Sequence, residues 1–117
     1  MRKKRLTTVH GVRGVKVTVH ATPPAPAISS PTGNIEADAP AGHGADVPVE
    51  SNWLLFQSLT GTGNPDTTPS EWEQGGALSS ASSTHAAWSS VDFAHWYVAA
   101  YVENGKRSAW SSKLQMR

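Results

Sequence analysis

The chain has 117 residues, a formal net charge of +1 and no cysteine. That length suits one domain with one real core, because a domain of this size buries roughly 65% of the surface its unfolded chain exposes. The lack of thiols excludes disulfides, thiolate catalysis and cysteine-bound zinc, and the near-neutral charge exerts no general pull on nucleic acid or membrane.

Charged residues make up only 16% of the chain, against a usual ~25%. Serine and threonine supply the polar surface instead, which suits strands and turns better than helices. No apolar run approaches the ~18 residues of a membrane-spanning helix. Met1-Arg-Lys-Lys-Arg5 has the basic character of a signal-peptide start. The segment that follows, Leu6 to Gly14, is too polar for the apolar region such a peptide needs. The expected locations are therefore the cytoplasm or an assembled virion or surface structure.

Residues 1–22 read as a basic arm and an N-terminal strand. Val15, Val17 and Val19 alternate with Lys16, Thr18 and His20, the period of two that a strand requires. Pro23, Pro24 and Pro26 then force an extended path with few backbone donors. Residues 23–117 read as the domain proper. Short strands are expected at Ala27–Ser30 and around Ile35, Ala37 and Ala39. Asn52–Leu59 is the most apolar run and is expected to be a central strand buried on both sides. Residues 61–70 form a turn-rich loop. Ser70 and Glu73 have the spacing of a helix cap, but Gly75-Gly76 limits any helix to one turn. Ala77–Ser90 lacks a clean period and reads as a weak strand plus loop.

Asp92–Asn104 reads as a strand, with Trp96, Val98, Ala100 and Val102 on one face and Tyr97, Ala99, Tyr101 and Glu103 on the other. One face belongs in a core and the other in water. Asn104-Gly105 is a hairpin turn signal, and Arg107–Leu114 forms the last strand. About seven short strands and no long helix argue for an antiparallel β-sandwich.

From about Ala21 to Leu114 the chain resembles a fibronectin type III domain. The resemblance rests on Trp96, Val98, Ala100, Val102, Asn104, Gly105, Ser108, Trp110 and Ser111, with the proline-rich lead-in beside them. It implies an immunoglobulin-like sandwich of about seven strands, like modules of bacterial proteins. There are two departures. The family's core Trp in the second strand is missing, which leaves Trp53 to fill that space. The family's corner Tyr is replaced by Trp96 or displaced to Tyr97, and Trp96 has no hydroxyl for the corner hydrogen bond.

The chemistry-bearing residues form no catalytic pattern. The five histidines are not paired at metal-ligand spacing. The serines of Ser79–Ser90 lack a nucleophile elbow. Gly61-Thr-Gly-Asn64 lacks the lysine and helix of a phosphate loop. Asp66, Glu71 and Glu73 match no calcium loop. Neither a cofactor nor a metal is expected.

Two binding readings remain. In the first, the strand of Val15, Val17 and Val19 adds to a sheet edge, in the same chain or in another copy, making the chain a non-enzymatic protein-binding or self-assembling module. In the second, Trp72 and Trp88 lie in irregular segments and present exposed rings to a carbohydrate. The run Arg2–Arg5 has no interleaved aromatics, so nucleic acid is not the expected partner.

Overall fold

In a computed structural model, residues 21–44 and 52–117 are described. Val15, Val17 and Val19 lie outside them. The described chain is all β, with nine strands in two antiparallel sheets. Sheet one has the order β1-β2-β6-β5, from Ala27–Ser29, Ile35–Asp38, His85–Ser89 and Ala77–Ala81. Sheet two has the order β4-β3-β7-β8, from Glu73–Gln74, Trp53–Ser58, Trp96–Glu103 and Lys106–Arg107, and β9 (Leu114–Gln115) also pairs with β7.

The sheets share one core, and side-chain alternation decides who enters it. Sheet one contributes Ile35, Ala37, Ala86 and Trp88, and sheet two contributes Trp53, Leu55, Tyr97, Ala99 and Tyr101. These are every second residue of their strands, as a pleat requires. Full burial of a side chain such as Ile35 or Leu55 is worth about 1.5–3 kcal/mol. Trp53 packs edge-on to Trp88 at 6.2 Å and tilted against Tyr101 at 5.5 Å. Trp53 thus joins the two sheets, touching Trp88 of sheet one and Tyr101 of sheet two.

Several expectations change. Strand β3 alternates in burial instead of being buried on both sides, with Trp53 and Leu55 inside and Leu54 and Phe56 half-buried on the outer face. Ala77–Ser90 is a complete hairpin, β5 and β6, and β6 is an inner strand of sheet one. Small side chains hid its period of two from the sequence. The Ser70 cap does not form. A single 3-10 turn, Pro69–Glu71, starts from Thr68 without a side-chain cap.

On β7 the core face is Tyr97, Ala99 and Tyr101. The opposite face is not in water either, because Val98 and Ala100 are also buried. Trp110 covers this outer face by packing on Phe56 at 5.1 Å, with the Arg107 guanidinium 4.5 Å from its ring centre. Asp66 closes the cover, accepting from Trp110 Nε1 at 3.1 Å and pairing with Arg107. The Arg107 guanidinium is the main reason the Asp66 carboxyl sits below its usual range.

The hairpin turn is as expected: Asn104 and Gly105 both have positive φ, 53° and 74°, and join the paired residues Glu103 and Lys106. Beyond it the last segment does not run as one regular strand. Ser108 N donates to Tyr101 O and Ser111 N to Ala99 O. The two serine hydroxyls accept from the amides of the same residues, Tyr101 N at 3.1 Å and Ala99 N at 2.9 Å. Three steps along this segment thus match two along β7, so the pairing gains an extra residue there. It gains another before Leu114, which pairs with Tyr97.

Candidate functional site

A groove of about 370 Å³ opens at one end of sheet two. It is lined by Gln57 and Ser58 at the end of β3, by Leu59 and Thr60 just beyond, by Ser70 to Glu73 where the 3-10 turn runs into β4, and by His95. Local hydrogen bonds hold the walls. Ser58 Oγ accepts from the amides of Thr60 and Gly61 at 3.2 and 3.0 Å. Thr60 Oγ1 donates to Glu71 Oε1 at 2.6 Å, and Gln57 Nε2 donates to Glu73 Oε2 at 3.0 Å.

The loop behind the groove is built from side-chain bonds to backbone. Asn64 Oδ1 accepts from Asp66 N and Thr67 N, which is an Asx turn. Thr68 Oγ1 and Trp72 Nε1 both donate to Thr62 O, at 2.7 and 3.0 Å. Gly61, with φ +69°, lies against the ring of Trp96. A Cβ there would come within 2.7–2.9 Å of three ring atoms. Gly61→Ala is therefore expected to lower stability by about 1–3 kcal/mol, combining overpacking with left-handed strain. Urea unfolding measures it, and an unchanged midpoint contradicts the tight contact.

Of the five described side-chain carboxylates that do not line the groove, all but Asp92 have an imidazole or guanidinium partner. Glu36 and Asp38 flank His85 at 3.7 and 2.7 Å, Glu103 meets His43 at 3.0 Å, and Asp66 pairs with Arg107. Glu71 and Glu73 form no ion pair among the described residues. They accept instead from the Thr60 hydroxyl and the Gln57 side-chain amide. Beside them Leu59 is 76% exposed, and Phe93, two residues before His95, is 75% exposed. Carboxylates beside open apolar surface suit a cationic side chain with an aliphatic stem.

The other residues singled out in the sequence scatter. Trp88 is in the core and Trp72 is buried under the loop, at 4% and 6% exposure, so neither presents a ring as a platform. Trp96 and Trp110 are half-buried. Asp66 faces Arg107 and Trp110, away from the groove that Glu71 and Glu73 line. Among the described residues no group of three or more His, Cys, Asp or Glu is placed to hold a metal ion, and no helix is long and apolar enough to cross a membrane. The sequence held no signal for the groove, because its lining comes from residues 57–60, 70–73 and 95, which only the fold brings together.

No family model, curated protein or solved structure matches this chain.

Proposed function

We propose that the chain is a non-enzymatic, fibronectin type III-like β-sandwich that works by protein contact, lending its Val15–Val19 strand to an open sheet edge of another copy. Three features support the sandwich family. The strand orders β1-β2-β6-β5 and β4-β3-β7-β8 follow the A-B-E-D and C-F-G arrangement of immunoglobulin-like domains, with β4 as an added edge. Tyr97 Oη accepts from Asp92 N at 2.6 Å, the bond of a tyrosine corner, carried by the displaced Tyr. Ser108, Trp110 and Ser111 have the distinct jobs described above.

The observation that carries strand donation is the edge formed by β5. Ala77-Leu-Ser-Ser-Ala81 has neither charge nor proline, and β6 is its one strand partner among the described residues. Its irregularity is one bulge between Leu78 and Ser80. Natural edges are usually guarded by charge, proline or extreme shortness, and an unguarded one accepts strands. The donor's tether runs into β1, the edge of sheet one opposite β5. Tyr101 Oη donates to Pro24 O at 2.8 Å and Ala109 N to Pro23 O, so the spacer is fixed beside sheet two. Carbohydrate binding through Trp72 and Trp88 has no such support, because both rings are buried.

Light scattering on the full chain tests this. The wild type is expected to form oligomers. Val17→Pro removes a ladder donor in the middle of the lent strand and is expected to reduce the mass to one chain without changing the far-ultraviolet spectrum. A monomeric wild type, or a mass that Val17→Pro leaves unchanged, counts against the proposal.

A further inference from the structure

We infer that the groove at Glu71 and Glu73 is a docking site for the chain's own basic segment, Arg2-Lys3-Lys4-Arg5, bound within the same molecule. Charge complementarity selects the occupant. Four of the chain's ten lysines and arginines lie in this one run. Of the described carboxylates, Glu36, Asp38, Asp66 and Glu103 already have an imidazole or guanidinium partner. Glu71, Glu73 and Asp92 lack one among the described residues, and of these only Glu71 and Glu73 line the groove of about 370 Å³, large enough for a side chain with its stem. Leu59 offers apolar surface to that stem.

Reach permits binding in cis. The spacer is held at Tyr101 and Ala109, and the groove lies at the end of β3 and the start of β7, where Ser58 pairs with Trp96. Five residues along β7 and three strand spacings across the sheet separate them, roughly 17 and 14 Å. Residues 5–23 can span up to about 60 Å when extended. A tether of that length keeps the segment near the groove at high effective concentration, so weak exposed ion pairs suffice. The inference does not require strand donation by Val15–Val19.

Zero-length carbodiimide coupling tests it on the full chain, using a mixture of unlabelled and nitrogen-15-labelled protein. Isopeptide bonds from Lys3 or Lys4 to Glu71 or Glu73 are expected within single chains. Their yield is expected to fall about tenfold at about 1 M salt, where screening acts within about 3 Å. In a second measurement, the double substitution Glu71→Gln and Glu73→Gln is expected to shift the amide resonances of residues 2–5. Coupling only between chains, coupling only at other carboxylates, insensitivity to salt, or unmoved arm resonances would each overturn the inference.

Discussion

Trp53→Ala is expected to destabilise the protein by about 3–5 kcal/mol, the range for emptying a large aromatic site in a core. Trp53 is 4% exposed and touches both Trp88 and Tyr101, so the loss is felt in both sheets. Its indole also donates to Ser82 O at 2.8 Å, tying β3 to the turn between β5 and β6. Trp53→Phe separates the two contributions. It keeps most of the packing but leaves the Ser82 carbonyl without that donor, and about 1 kcal/mol is expected. Denaturant unfolding followed by the remaining tryptophans measures both. Equal losses for the two substitutions would mean that the hydrogen bond, not the packing, joins the sheets here.

Tyr97→Phe is expected to cost about 1–3 kcal/mol, because one hydroxyl serves two partners in a buried place. Its oxygen accepts from Asp92 N at 2.6 Å, and its proton goes to Gln57 Oε1 at 2.9 Å. The substitution leaves both partners unmatched and frees the turn that launches β7. Burial pushes the Tyr97 phenol above its ordinary value, and the Asp92 charge pushes it the same way, while the Asp92 amide opposes them. Burial likewise raises Tyr101, with Glu103 adding to it.

A phenol whose folded pKa is raised contributes stability that is fully present below its unfolded value, near 10, and is lost as pH rises through the folded value. Stability is therefore expected to decline above about pH 10, and to decline less steeply in Tyr97→Phe. Denaturation midpoints measured from about pH 8 to about pH 11 give the slopes. Identical slopes would remove Tyr97 from the alkaline transition.

The sequence told most where local chemistry and tertiary structure agree. Asn104-Gly105 could be read because two residues tolerant of positive φ sit between alternating runs. β2 could be read because Ile35 and Ala37 alternate with Glu36 and Asp38. β7 was legible as a strand but not as to its faces, since both parities are apolar and both end up covered. Which face met the other sheet depended on tyrosines that hide their hydroxyls at Asp92 and Pro24. β6 escaped notice because Ala86 and Ala87 are alike to the eye, although only Ala86 belongs to the core. The burial of Trp72 depends on a loop folded through Asn64 and Thr68, whose bonds no spacing rule announces.

The two serine hydroxyls plugged into β7 have a consequence for solubility. A regular outer strand offers newcomers an evenly spaced row of backbone groups, the starting template for cross-β stacking. From Ser108 to Leu114 that row is broken twice, because each gained residue puts the next carbonyl out of step with its neighbours. A stray strand arriving at this rim would find bonding groups at the wrong intervals. Ser108 and Ser111 therefore serve twice, completing the ladder of β7 from the inside and making this one rim a poorer template for a further strand than the edge of β5.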